Sequence, residues 1–322
     1  MAPTLKILDS MQQSNADYQL HFEELPAGAQ LYADTGESFP DYSMDAARKA
    51  DAILLSAMGL PSVRYDDGTE ISPQIDLRIA LELFAGVRPV RINNSRCSPL
   101  SLTEPVDFVL IRESTEGLFH SRGIGQVSQN EATETLKITR DTSEKLFKFA
   151  FELATQRKLN GDSQGRVTCV DKANVFRAFA FFREIFDQEA RSHTLIESNH
   201  AYVDAVALWM VQQPTMFDVL VTENMFGDIL SDLGAGLMGG LGLAPSADIG
   251  EQHAVFQPCH GSAPDIAGQN LANPFAMILS AAMMLDWLGN RHEIGSMRDD
   301  GNRLRNAVYK CVQDKNSSTR DI

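Results

Sequence analysis

The sequence predicts an α/β fold with a largely parallel sheet. Short apolar runs of strand length alternate with longer segments of helical periodicity along most of its 322 residues. Hydrophobic residues make up 43% of the chain, as in ordinary globular proteins. No internal repeat or low-complexity linker interrupts the alternation. The length leaves room for two domains or one large one.

Each element has a local reason. Residues 1–18 read as a helix with Leu5, Ile7, Leu8 and Met11 apolar, and 18–23 alternates as a strand does. A short helix over 44–50 leads to a buried strand at 52–56. Pro73 suits the first turn of a helix over 73–84, and strands follow at 87–92 and 107–112. An amphipathic helix over 142–157 carries Leu146, Phe147, Phe149, Ala150 and Leu153. After it come a strand at 166–170, a helix over 174–188, a strand at 193–197 and a helix over 200–212. The apolar run 217–222 is a buried strand that delivers Glu223-Asn-Met-Phe-Gly-Asp228-Ile-Leu-Ser-Asp232. Asn273-Pro274 is a good cap pair for a helix over 274–288.

Composition excludes several classes. A net charge of −15 argues against a nucleic-acid or anionic-membrane partner. The longest apolar run, near 278–288, is broken by Asp286 and is too short to span a bilayer. Cys97, Cys169, Cys259 and Cys311 lack CxxC spacing, which disfavours a zinc site or disulfide framework and fits a reducing cytoplasm. No basic-then-apolar signal opens the chain. Gly234, Gly236 and Gly239 form a formal GxGxxG, but a helix precedes them where a dinucleotide fingerprint needs a strand. Close helix packing or a flexible connection reads better there.

The residues that could carry chemistry are few. Asp228 and Asp232, at i and i+4 of a helix, point from one face about a turn apart. They read either as a solvated acidic face or as two hard oxygen ligands for Mg²⁺ or Mn²⁺, which would remove their repulsion. Arg78, Arg88 and Arg112 stand out in an acidic chain. Each can hold a carboxylate in bidentate fashion, or form an ordinary surface ion pair. Lys172 directly follows a strand, where ligands of α/β sheets bind, and reads as a base or as a snorkelling surface lysine. The small residues of His260-Gly-Ser-Ala-Pro-Asp265-Ile allow close approach to a flat ligand, and Asp265 could accept from a ribose diol.

Six stretches together resemble the β-decarboxylating dehydrogenases, the isocitrate and 3-isopropylmalate dehydrogenase family, in the family's order over nearly the whole chain. They are Leu77-Arg78 with Gly86-Val-Arg88-Pro, Arg112-Glu-Ser-Thr-Glu-Gly117, Val170-Asp-Lys-Ala-Asn-Val175, Tyr202-Val-Asp204, Asn224 to Asp232, and His260 to Gly268. The resemblance implies an isopropylmalate dehydrogenase-like fold of two α/β domains without a classical Rossmann fingerprint. Residues 1–83 with 239–322 would bind the cofactor, and 84–238 would bind substrate and dimerise. It implies NAD- and metal-dependent oxidation, with decarboxylation, of a 2-hydroxy diacid in a homodimer with a shared active site. Arg78, Arg88 and Arg112 would hold the substrate carboxylates. Asp228 and Asp232 would bind Mg²⁺ or Mn²⁺ with Asp204 of the other subunit, which would also supply Lys172 as the base. His260, Gly261, Ser262, Ala263, Asp265, Ile266 and Asn273 would hold NAD, the Asp265 charge repelling a 2′-phosphate.

The chain also departs from the pattern. The family's tyrosine seven residues after the third arginine is Phe119, and a common glutamate is Gln257. The side-chain pocket offers Ile71, Gln74 and Ile75, so tartrate or D-malate is an alternative to isopropylmalate. Members begin with a strand and a Gly-Asp-Gly turn and continue past the position of Ile322, so the resemblance implies a cofactor domain incomplete at both ends. A non-catalytic subunit or inactive remnant of the family is the reading of another class.

Overall fold

The structure, a computed structural model, describes residues 1–93, 96–314 and 316–322. It divides into two compact units, Met1–Glu82 with Gly239–Ile322, and Leu83–Met238. The first unit opens with α1 (Ala2–Gln13), α2 (Ala29–Thr35), α3 (Asp41–Lys49), β1 (Ile53–Leu54) and α4 (Pro73–Ala80). The second contains β2 (Ala85–Ile92), β3 (Val106–Glu113), β4 (Gln126–Val127), β5 (Ala132–Thr133), α5 (Arg140–Leu159) and β6 (Arg166–Asp171). It continues through α6 (Arg177–Ala190), β7 (Glu197–Tyr202), α7 (Val203–Gln212), β8 (Val219–Thr222) and α8 (Asn224–Met238). The chain returns to the first unit as β9 (Pro245–Ile249), β10 (Ala254–Pro258), α9 (Phe275–Arg291) and α10 (Gly295–Gln313).

The fold is mixed α/β with a mostly parallel sheet. In the second unit the strands run in the order β2-β3-β8-β6-β7, all parallel from β3 onward, with β2 antiparallel to β3. In the first unit β10 pairs parallel with β1 and antiparallel with β9. The core of β3 and all of β8 are buried, which is why Phe108-Val-Leu-Ile111 and Val219-Leu-Val221 are continuous apolar runs. On α5 and α6, Phe147, Phe151, Phe182 and Phe186 are fully buried, with ring centroids 4.6 to 5.3 Å apart. Burying each such ring contributes roughly 1.5–3 kcal/mol. Thr139 caps α5 by accepting from the backbone N of Thr142, and Arg157 and Lys158 close its last turn.

Several expectations need correction. Residues 18–23 form no strand: Tyr18 donates its hydroxyl to Asp300 at 2.7 Å, and the Leu20 backbone N donates to Gln12 Oε1 at 2.6 Å. Side chains rather than a ladder hold this stretch. The strand expected at 193–197 is β7, Glu197–Tyr202, in register with β6 from Arg166↔Glu197 to Asp171↔Tyr202. β7 is an edge strand whose only buried residue is Ala201, so its sequence is polar, and the apolar pair Leu195-Ile196 lies in the turn before it. Helix α4 stops at Ala80, short of 84, because Glu82 takes a left-handed φ of 51°. The expectations did not include α2, β9 or α10. Helix α10 meets α9 through Gly301, where a Cβ would lie 2.9 Å from the Ala282 carbonyl, and through an Arg305–Asp286 ion pair. The same face buries Met297, Leu304 and Val308 at helical spacing, but Asp300 and Gly301 lie between them and dilute the apolar signal.

The glycines at 234–240 end and pack a helix, as their position after a helix suggests. A Cβ on Gly234 would lie 2.7 Å from Val90 Cγ2, so glycine lets α8 lie against β2. Gly239 and Gly240, with φ of 118° and 126°, turn the chain out of α8.

Candidate active site

The second unit gathers its candidate residues at the C-terminal edge of its parallel strands. Arg112 near the end of β3 is opposite Thr222 of β8, Thr222 is opposite Val170 of β6, and Asp171 is opposite Tyr202 of β7. Ligands of open α/β sheets bind beyond this edge. Gly86 of β2 is the cross-strand partner of Arg112, so Arg88, two residues on, shares a sheet face with Arg112.

Helix α8 starts two residues after Thr222 and runs directly past Arg112. A Cβ on Gly227 would lie 2.6 Å from Arg112 Cβ, so only glycine admits this approach. Asn224 in the first turn accepts from Arg112 Nε at 2.8 Å and donates to the Glu116 carbonyl at 2.9 Å. Arg112 Nη1 pairs with Asp228, and its guanidinium lies 5.2 Å over the Phe119 ring. The Arg112 side chain is buried, so its charge acts with little screening. Arg88 is also buried and donates to the Val87 carbonyl at 3.1 Å.

Asp232 sits one turn beyond Asp228 on α8. Burial pushes its carboxyl above the ordinary range, and the Asp228 charge adds to this, against the pull of Arg112 and Arg88. The donor set fits a hard divalent cation: two carboxylates on one face, with a like-charge cost that such an ion would remove. Among the described residues no third carboxylate, His or Cys joins this pair.

Lys172 and Asp204 form an ion pair with each other, and Lys172 Nζ lies 5.8 Å from the Tyr202 ring centroid. The Lys172 ammonium holds the Asp204 carboxyl below its ordinary range. Lys172 follows β6 and Asp204 lies in the first turn of α7.

In the first unit, Arg78 of α4 donates through Nε to the fully buried Asp248 of β9 at 2.9 Å. Gln257 of β10 donates to the same Asp248 oxygen at 3.1 Å. Of the pocket residues, Ile71 is core, 1% exposed, while Gln74 and Ile75 are half-buried. In the 260–268 loop, Ser262 donates to the Gly59 carbonyl, Ala263 is left-handed at a φ of 44°, and Asp265 and Gly261 are exposed. The His260 Nε2 atom is buried without a hydrogen-bond partner. An exposed carboxylate, an open glycine and an orphaned ring nitrogen in one loop fit the hydroxyls and base of a dinucleotide. Ile266 closes the turn that starts at Pro264. Asn273 accepts from the Phe275 backbone N at 2.9 Å and donates to Asp321 at 3.0 Å, so both ends of its amide are engaged within the chain.

Asp248, the buried partner of Arg78, lies on a strand, Pro245–Ile249, whose Pro-Ser-Ala-Asp-Ile sequence carries little apolar signal. Glu113, within Arg112-Glu-Ser-Thr-Glu-Gly117, carries no sequence signal of its own. It is 4% exposed and accepts from the Thr115 backbone N and hydroxyl at 2.6 Å each and from the Glu116 N at 2.8 Å. Burial raises its pKa from 4.5 to about 6, against those hydrogen bonds. A folded pKa above the unfolded one gives stability that is full below about pH 4.5 and is lost as pH rises through 6. The loss amounts to about 2 kcal/mol. Urea unfolding of the parent should therefore show about 2 kcal/mol more loss between pH 4 and 7 than that of Glu113→Gln. Parallel stability curves for the two would show that Glu113 ionises without penalty.

A sequence model of the family described as isocitrate/isopropylmalate dehydrogenase matches residues 1–322. A 3-isopropylmalate/3-methylmalate dehydrogenase of Methanocaldococcus jannaschii is 42% identical over 266 residues, 82% of this chain and 75% of that protein. A 3-isopropylmalate dehydrogenase of Staphylococcus saprophyticus is 37% identical over 98% of this chain and 89% of its own length. The crystal structure of isocitrate dehydrogenase from Methylococcus capsulatus superposes with a TM-score of 0.84 at 34% identity, covering 99% of this chain and 88% of that one. The fold and these matches define an oxidoreductase, a dehydrogenase acting on a small hydroxy acid. The chain belongs to the isocitrate/isopropylmalate dehydrogenase family. Among the described residues no helix is long and apolar enough to cross a membrane.

Proposed function

We propose that the protein oxidises, and then decarboxylates, a 2-hydroxy diacid of the 3-isopropylmalate type, using NAD and Mg²⁺ or Mn²⁺, in a cytoplasmic homodimer. The observation that carries this reading is the cluster on α8: Asp228 and Asp232 on one face, against the buried cations Arg112 and Arg88. A site with both signs of charge suits a ligand that is an anion and also chelates. Arg78, Arg88 and Arg112 hold the carboxylates of the diacid and set its orientation. Bound at Asp228 and Asp232, the divalent ion would supply positive charge beside the substrate hydroxyl, and NAD, held by the 260–268 loop, would supply the hydride acceptor.

Lys172, as the neutral amine beside the Asp204 carboxylate, takes the hydroxyl proton as the C2 hydride departs. The side chains of the pair are partly open to solvent on this chain, 24% for Lys172 and 68% for Asp204, so the pair is free to complete the site of a second copy. Phe119 presents its ring to Arg112 and carries no hydroxyl, so the proton that replaces the lost carboxylate returns from Lys172. A smaller polar diacid, tartrate or D-malate, is the second reading. It is favoured by Gln74, which lies one helical turn before Arg78 on α4, and by the burial of Ile71 in the core.

The test is NADH formation with Mn²⁺ on isopropylmalate, D-malate, tartrate and isocitrate, with the keto product and carbon dioxide measured. Turnover on isopropylmalate selects the first reading, and preference for malate or tartrate selects the second. No turnover on any of the four would sink both.

A further inference from the structure

The Lys172–Asp204 pair is braced from behind by Arg183, which lies outside the family-like stretches. Asp171, the residue before Lys172, is fully buried. A buried carboxylate is strongly unfavourable unless it is paired and hydrogen-bonded. Its partner is Arg183, in the interior of α6. Arg183 Nε donates to Asp171 Oδ2 at 2.7 Å and Nη2 donates to Oδ1 at 2.6 Å, a bidentate fork. Asp171 Oδ1 also accepts from the Ala173 backbone N at 2.9 Å. One carboxylate therefore grips the chain on both sides of Lys172.

The same guanidinium reaches the other half of the pair. It lies 5.4 Å from the Tyr202 ring centroid, and Lys172 Nζ lies 5.8 Å from that centroid. Tyr202 is the register partner of Asp171 and the N-cap residue of α7, two positions before Asp204. Arg183 thus ties the turn that carries Lys172 to the strand end that leads into Asp204.

We propose that Arg183 is a positioning residue for the Lys172–Asp204 pair, fixing the ammonium against its carboxylate through Asp171 and the Tyr202 ring. Its link to catalysis rests on Lys172 acting as the base; its link to geometry does not. A role confined to neutralising Asp171 would leave Lys172 where it is once both charges are removed together.

The experiment compares the parent, Arg183→Lys, and the double variant Asp171→Asn with Arg183→Gln. The double variant removes the fork without stranding a buried charge, while the amide oxygen introduced by Asp171→Asn can still accept from the Ala173 backbone N. Acylation of Lys172 by a succinimidyl ester is followed by mass spectrometry against Lys145 on α5 as internal reference, with folding checked by circular dichroism. The proposal expects a several-fold rise in Lys172 labelling in the double variant and a smaller rise in Arg183→Lys, which keeps the charge but loses the fork. It also expects kcat to fall by about 10²-fold in the double variant, while KM for the diacid moves by less than about twofold. Unchanged Lys172 labelling in the folded double variant overturns the proposal whatever the activity. Raised labelling with unchanged kcat upholds the brace and overturns Lys172 as the base.

Discussion

Replacing Lys172 with methionine is expected to slow turnover by about 10²–10⁴-fold with little change in KM. Methionine keeps the length and apolar stem of lysine, so the space over the Tyr202 ring stays filled. What is lost is the proton acceptor for the substrate hydroxyl and the ammonium beside Asp204. These two losses can be separated. Lys172→Arg keeps a cation beside Asp204, but a guanidinium stays protonated at any working pH and cannot accept a proton. If proton transfer is the role, Lys172→Arg is as slow as Lys172→Met. Full activity of Lys172→Arg would reduce Lys172 to a fixed positive charge. A parallel rise in KM in both variants would make it a substrate-binding group instead.

The parts of this molecule that were legible in the sequence are those whose cause is local. The strand ending at Thr222 is a buried apolar run, and a helix carrying Asp228 and Asp232 one turn apart follows it at once. The glycines at 234, 236 and 239 read as close helix packing or a flexible connection because a helix precedes them; Gly234 lies against Val90, whereas a Cβ on Gly236 would meet nothing within 4 Å. Where the cause is a partner distant in sequence, the reading stops. Nothing near Arg112 announces Asn224 or Asp228, which lie far along the chain and fix its guanidinium together with the Phe119 ring. Arg78 looked like a ligand-binding arginine, and its bond to Asp248 depends on a strand whose Ser-Ala-Asp sequence has little apolar signal. The β7 edge inverted the usual rule: its ladder residues are polar and the neighbouring apolar pair is not in the ladder.

The charges at the site also explain why its arginines are buried. In an acidic chain of net charge −15, an exposed cation would be screened by solvent and by surrounding carboxylates. Arg88 and Arg112, at 5% and 4% exposure, are less screened; both act on the Asp232 carboxyl, and Arg112 also pairs with Asp228. The same burial raises Asp232, so the acidic pair is costly while it stands alone.

That cost frames the second large effect. Asp228→Asn should weaken Mn²⁺ binding by more than the roughly 10–100-fold that loss of a supporting partner costs, because a direct ligand is removed. Asp232→Asn should do the same, and both should lose turnover in proportion. Arg112→Gln should act in the opposite direction on the metal: Asp228 is freed from its competing cation, so Mn²⁺ binds more tightly while KM for the diacid rises. Unchanged Mn²⁺ binding in both aspartate variants would return the pair to a solvated acidic face. Sharing of the site between copies has its own signature. If Asp204 completes the site of the other subunit, Asp204→Asn and Asp228→Asn are each inactive alone, yet a mixed dimer holds one intact site and one doubly damaged one. Random exchange of equal amounts makes half the dimers mixed, each with one of two sites intact, so about a quarter of parental activity returns. Were the site built within one chain, no mixture of the two variants would recover any activity.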